Sequence, residues 1–374
     1  MDRNAPPTDT PRDESWTDVL LRTQPKRFTI YEPMVLLPSC SFTNEAWASL
    51  LGSCDDHIRT LLWALILEEL SKSGKGKLTH LAVNEGIPLH KEGEEVENVR
   101  RSPNGLRMLY GDFGSAETDG EPAESDFETA FWVETKQNGI IQTWAPRWTM
   151  FSRGNIKEKA RVLSFKRLWA TQDHPSWAVD LYAGIGYFTF SYASLGLRVL
   201  CWEINPWSVE GLRRGAEMNR WSVRVVQGRD LGLPLSEIMA GDEQIIVFLE
   251  SNEEALRRVR GLQDMGLARN VKHVNCGFLP TSEPVWKSAW EMTSKSPEAW
   301  LHLHENVAVE DTDARRQEID GLFQSWHTEE EKEGKKEGET RTAKVTHFEM
   351  VKSYAPGVWH CVYDVHVYKN LAIQ

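Results

Sequence analysis

Four residues of the chain are spaced to grip a nucleoside. Asp180, Gly184 and Gly186 stand in VDLYAGIGYFTF, and Glu203 stands in CWEINPW. A Gly-x-Gly turn lets backbone N–H groups approach a ligand closely, and a helix opening just after it favours an anion. The third glycine of a dinucleotide fingerprint would fall at 189, where the chain has Thr189. Glu203 closes the next apolar run, nineteen residues after Gly184, where a carboxylate can accept both hydroxyls of a ribose. A third run ends Gln227-Gly228-Arg229-Asp230, which sets Asp230 to meet the amino group of an adenine. Further on, NCGFLP (275–280) puts polar Asn275 at the end of an apolar run and before a glycine, where ligands bind in open α/β sheets.

These residues need a scaffold, and the pattern from about residue 150 supplies one. Apolar runs at 177–183, 198–204, 223–228, 271–277 and 300–307 read as strands. Between them GYFTFSYASLG, PWSVEGLRRGAEMNR, NEEALRRVRGLQDMG and EPVWKSAWEMT read as helices, with Asn205-Pro206 capping and opening the second. Alternating strands and helices predict a doubly wound parallel sheet. IIVF (245–248) reads as either an extra strand or a buried loop. A polar helix over 309–332 is followed by 343–368, two strands around Ala355-Pro356-Gly357. A closing antiparallel hairpin points to a class I methyltransferase-like Rossmann fold, and the set of residues then fits S-adenosyl-L-methionine.

Upstream, residues 1–15 read as disordered and 16–149 as a smaller α+β domain with an RNA-binding role. That domain holds a helix candidate at 59–72 and a strand–turn–strand at 128–146 turning at Asn138-Gly139. Residues 150–374 form the expected catalytic domain. The 5 Cys make no CxxC pair, which predicts reduced thiols in a cytoplasmic protein and no metal site. The N-terminus is polar and Pro-rich rather than a leader, and LLWALIL (61–67) is too short to span a bilayer. A monomer without a membrane partner is expected.

Net charge is −12, which disfavours nucleic acid, but its distribution matters more than its sum. The acid sits in 90–97, 117–128 and 328–339, whereas FSRGNIKEKARVLSFKR (151–167) holds six Lys/Arg and one Glu. That run reads either as a solvated helix face or as a contact for an RNA backbone, through Arg153, Lys157, Lys166 and Arg167. Of 16 Trp, Trp144, Trp148 and Trp286 are candidates to stack an extruded base.

FSRGNIKEKARV, DLYAGIGYFTF, CWEINPWSVEGLRR, HVNCGFLPTSE, LHLHENVA and VKSYAPGVWHCVYDV together resemble the wybutosine-synthesising aminocarboxypropyltransferases. These are relatives of the tRNA guanine-N1 methyltransferases that act beside the anticodon. The likeness covers roughly 128–368. The methyltransferase branch has Asn-Leu-Pro at the fourth strand end; the aminocarboxypropyl branch has Asn-x-Gly-x-x-Pro, as Asn275, Gly277 and Pro280 do. The resemblance implies transfer of the 3-amino-3-carboxypropyl arm of S-adenosylmethionine to C7 of 4-demethylwyosine in tRNA(Phe), releasing methylthioadenosine. It also implies that Ser152 and Lys159, seven apart, hold the donor with Glu203. Gly228-Arg229-Asp230 departs from the family's Gly-Asp-Asn by one residue, and 231–270 departs further. Asn275 could orient the base, and His302 or His304 could take its proton. Rival readings are a guanine-N1 methyltransferase and a non-catalytic RNA-binding protein on the same fold.

Overall fold

The computed structural model describes residues 15–72, 76–84, 106–115, 120–165, 175–332 and 340–369. Residues 1–14 of the expected disordered start, the acidic run at 90–97, 333–339 of the charged 328–339 stretch, and Lys166 and Arg167 lie outside the described residues. The chain divides into two compact units, one mainly 1–117 with 129–134 and 146–148, the other 118–128, 135–145 and 149–374.

The first unit contains α1 (Trp16–Thr23), β1 (Thr29–Tyr31), β2 (Met34–Leu37), α2 (Glu45–Ser53), α3 (Asp56–Ser71), β3 (His80–Val83) and β4 (Arg107–Tyr110). Its sheet runs β1-β2-β3-β4, with β2 and β3 parallel and the other pairs antiparallel. The 59–72 helix starts earlier, because the Asp55 carboxylate accepts the Ile58 N–H at 2.8 Å and caps it. Trp63 and Leu67 of α3 pack on Val35, Leu81 and Val83 of the sheet.

Next along the chain come α4 (Glu124–Thr129) and the hairpin β5 (Val133–Gln137) and β6 (Ile140–Trp144). Asn138 and Gly139 both take positive φ, 52° and 84°, as a two-residue hairpin turn requires. Then come α5 (Ile156–Leu163), β7 (Trp177–Asp180), α6 (Thr189–Ser194), β8 (Arg198–Glu203), α7 (Pro206–Met218), β9 (Val223–Val226), α8 (Leu235–Ile238), β10 (Ile245–Leu249) and α9 (Ala255–Asp264). β11 (Val271–Cys276), α10 (Trp286–Met292), β12 (Glu298–Ala308), α11 (Thr312–Lys332), β13 (Arg341–Ala355) and β14 (Val358–Lys369) complete the chain.

The second unit's sheet has eight strands in the order β13-β14-β12-β11-β7-β8-β10-β9. Strands β7 to β12 pair in parallel, and β14 returns antiparallel to β12 with β13 outside it. The chain reverses its direction of travel across the sheet between β8 and β11, which flank β7; such a switch point opens a crevice at the carboxyl ends of the strands. IIVF is a strand, and an inner one. Its Ile245, Ile246, Val247 and Phe248 are fully buried, while three of the four β9 residues are only partly so, and the more apolar run takes the interior position.

Candidate active site

The glycine turn is built around Glu203. Gly184 donates its N–H to Glu203 Oε2 at 2.9 Å, and Oε1 accepts the N–H groups of Ile204 and Asn205 at 2.9 and 2.8 Å. Burial pushes this carboxyl up, and the three donors oppose that. A carboxylate offers about four acceptor positions, so one remains on Oε2. Gly184 and Gly186 take φ of 53° and 89°; a Cβ on Gly186 would lie 2.6 Å from the Phe190 ring. The helix expected from 186 begins only at Thr189. Asn205 caps α7 as expected, accepting the Trp207 N–H at 3.0 Å, with Pro206 opening the helix.

Asn275 and Asp180 meet across the switch point. They are register partners on β11 and β7, and Asn275 Nδ2 donates to Asp180 Oδ1 at 2.9 Å. Thr189 donates to Asp180 Oδ2 at 2.8 Å. Both partners are fully buried, and burial raises the Asp180 carboxyl against these hydrogen bonds. Asn275 Oδ1 is buried with no partner among the described residues. Gly277 leaves room for the amide, since a Cβ there would sit 2.7 Å from Asn275 Nδ2.

Lys159 lies on α5, buried, with its ammonium 2.6 Å from Gln137 Oε1 and 2.7 Å from Gln142 Oε1. It also faces the Phe151 ring at 5.1 Å. Burial pushes it down to about 8. Gln142 is placed because Asn219 of α7 holds β6 by accepting the Ile141 N–H and donating to its carbonyl, at 2.9 and 2.7 Å. The helix is fixed by Arg161, which bridges buried Glu158 and Asp364 of β14. Ser152, on the turn before α5, donates its N–H to the Tyr187 hydroxyl oxygen, 3.1 Å away.

The sequence reading missed Lys352. From β13 its half-buried ammonium donates to Ser152 Oγ at 3.0 Å, and burial lowers it too. Its carbon chain runs over Gly154, where a Cβ would lie 2.4 Å from Lys352 Cδ. The only signal was its place in VKSYAPGVWHCVYDV.

Asp230 does not lie on the strand beside Glu203. The strand before it, β9, is the sheet edge and pairs with β10, and β10 is what lies beside Glu203, with Leu249 opposite it. Asp230 is therefore exposed in a turn one strand further out. The polar group reaching the β7 end from that side is Asn252, which donates to the Leu181 carbonyl at 2.9 Å. Glu250 is committed elsewhere, to Arg258 at 2.5 and 2.8 Å and to the Trp202 indole at 3.1 Å. Thus 231–270 contributes a strand, its crossover helix and that Asn. The run IIVFLESN, apolar and then polar, was its signature.

Two of the three stacking candidates are packed away. Trp144 is buried against Phe151, ring centroids 4.7 Å apart, and Trp286 is buried with its indole N–H on Ser282 Oγ at 2.8 Å. Trp148 is half-buried, in the first unit. His302 is held at both nitrogens, by His273 at 2.9 Å and Asp364 at 2.7 Å. The 5 cysteines are free thiols. Among the described residues no helix is long and apolar enough to cross a membrane, and no group of three or more His, Cys, Asp or Glu could hold a metal.

A TRM5/TYW2 methyltransferase domain matches residues 134–260. The tRNA wybutosine-synthesizing protein 2 of Schizosaccharomyces pombe is 41% identical over 91% of this chain and 72% of its own. That of Saccharomyces cerevisiae is 33% identical over 95% and 77%. The chain belongs to this family. It is accordingly an S-adenosylmethionine-dependent tRNA transferase of wybutosine synthesis. The crystal structure of Pyrococcus horikoshii TYW2 in complex with MeSAdo shares the fold, at 16% identity over 94% of this chain and 95% of that one, with a TM-score of 0.55.

Proposed function

We propose that this family member transfers the 3-amino-3-carboxypropyl group of S-adenosylmethionine to C7 of 4-demethylwyosine in tRNA(Phe), in the cytoplasm, with methylthioadenosine as the coproduct. Three features suit the donor. Glu203 keeps one acceptor position for a ribose hydroxyl; Gly184 and Gly186 hold a tight positive-φ turn over the Tyr187 and Phe190 rings; and Asn252 stands on the neighbouring strand end.

The observation that carries the choice of arm is the pair of lysines about Ser152. Lys159 is buried and Lys352 half-buried, and neither faces a carboxylate among the described residues. A buried cation without a counter-charge is costly. The donor's methionine arm ends in a carboxylate of the right sign. The sulfonium supplies three electrophilic carbons, and the enzyme selects among them by which it presents in line, at about 3–3.5 Å, to the acceptor. Lys159 of α5 and Lys352 of β13 draw the arm's carboxylate to that side and expose its γ-carbon, with the methyl turned away. Asn275, fixed by Asp180, orients the base with its unpartnered Oδ1. Arg153 and Lys157 meet tRNA phosphates.

The test is to incubate the protein with tRNA carrying the tricyclic precursor and donor labelled in either its carboxyl carbon or its methyl. Carboxyl label should enter the RNA, and methyl label should leave in methylthioadenosine. Methyl label in the RNA, with S-adenosylhomocysteine as coproduct, would replace this reading by a guanine-N1 methyltransferase.

A further inference from the structure

Next to the lysine pair lies a second histidine couple that the donor grip does not use. His304 Nδ1 of β12 and His360 Nε2 of β14 are 2.9 Å apart, and both rings are buried. Their outer nitrogens, His304 Nε2 and His360 Nδ1, are buried without partners among the described residues. So are both side-chain atoms of Asn306, the register partner of His360. Native structures satisfy nearly all buried polar atoms, so a group of orphans along two adjacent strands points to a ligand.

Its position says which ligand. Phe188, two residues past Gly186, packs edge-on against His304 with centroids 5.1 Å apart. Lys352, which reaches Ser152, is the register partner of His360. The Asn306 N–H donates to the Pro280 carbonyl at 2.7 Å, joining this strand to the NCGFLP loop. The pair therefore stands among the glycine turn, Lys352 and the loop that follows Asn275. His302 offers no such site, since both its nitrogens are engaged.

A neutral imidazole has one N–H and one lone pair. Two of them sharing one hydrogen bond must present a bare nitrogen at one outer end and an N–H at the other, whichever tautomers are present. Such a couple accepts a proton at one end and gives one up at the other.

We propose that the His304–His360 pair accepts the proton lost from the attacked carbon of the acceptor base and relays it away from the site. This rests on the aminocarboxypropyl reading. As the carbon–carbon bond forms at C7, the carbon–sulfur bond breaks and its electron pair goes to sulfur. C7 then carries one proton too many. His304 Nε2 takes it, the Nδ1 proton crosses to His360 Nε2, and His360 releases its Nδ1 proton to water. Charge is balanced and nothing is oxidised. Burial first, and then the Lys352 cation beside it, lower His360 and disfavour a proton resting there, which favours its release. A weak base suffices, because regaining aromaticity makes the C7 proton strongly acidic.

The experiment is single-turnover transfer to tRNA bearing hydrogen or deuterium at the attacked carbon, by wild type, His304→Gln and His360→Gln. In wild type, proton loss is fast and no isotope effect is expected. In both variants transfer should slow about 10²-fold, and a primary isotope effect should appear. Donor affinity by calorimetry should stay unchanged and serves as the check on folding; His360→Gln keeps the test open should His304→Gln not fold. Unslowed transfer, or slowing without an isotope effect, would overturn the relay. S-adenosylhomocysteine as the wild-type coproduct would instead overturn the transfer reading beneath it.

Discussion

Asn275 holds Asp180: the amide Nδ2 lies 2.9 Å from Oδ1, joining the end of β11 to the end of β7 inside the sheet. Gly277 permits this, because a Cβ there would press on the same Nδ2 at 2.7 Å. Asn275→Ala should destabilise the chain by about 1–3 kcal/mol, the cost of a buried acceptor losing its donor. Gly277→Ala should cost a similar amount by displacing the amide. The two must then be strongly non-additive, since each removes the same contact. Chemical denaturation of the single and double variants measures this, and additive losses would refute the shared contact.

Glu203 serves the fold as well as the donor. Its carboxylate accepts the N–H groups of Gly184, Ile204 and Asn205. Hydrogen bonds to a charged group are worth roughly 1.5–3 kcal/mol each, so Glu203→Ala should weaken donor binding about tenfold or more. Thermal stability should also fall, because three backbone donors lose their acceptor. Unaltered affinity by calorimetry would remove Glu203 from the site.

Arg153 and Lys157 are exposed on the turn and first helical residues before Lys159. Replacing both by Ala should reduce the salt slope of tRNA affinity by about two units. Donor affinity should not change, because these side chains meet RNA rather than the donor. An unchanged slope would place the RNA on another surface.

The parallel strands were legible because each is a short apolar run ended by a polar or glycine residue, and the glycine turn because Gly184, Gly186 and Glu203 sit at the spacing that geometry imposes. What was not legible depended on neighbours distant in sequence. The order of β9 and β10 follows which run is more apolar, not which comes first, so the strand that ends before Asp230 is the sheet edge rather than the neighbour of Glu203. Lys352 reaches Ser152 across 200 residues, and His360 reaches His304 across 56. Neither pairing leaves a local pattern. The excess of tryptophan told nothing of function, because Trp144 and Trp286 are core residues.

Lys159 gives the donor site a pH dependence of known sign. Burial lowers its ammonium to about 8, and it faces two Gln carbonyl oxygens and the Phe151 ring rather than a carboxylate among the described residues. Without ligand, the folded state disfavours the charged form, so this lysine's contribution to stability is greatest above its unfolded value of about 10.4 and is lost as pH falls through about 8. A bound carboxylate reverses that preference, because it pairs with the ammonium and not with the amine. S-adenosylmethionine affinity should therefore be level below pH 8 and decline as the pH rises above it. Lys352, lowered by burial in the same direction, steepens the decline. Methylthioadenosine lacks the carboxylate arm, so its affinity should be flat over the same range. Lys159→Met should weaken the donor at neutral pH and remove most of its pH dependence, leaving methylthioadenosine unaffected. Calorimetry of both ligands from about pH 7 to about pH 9 tests this. A decline that persists in Lys159→Met, or that methylthioadenosine shares, would show that the arm's carboxylate does not rest on Lys159.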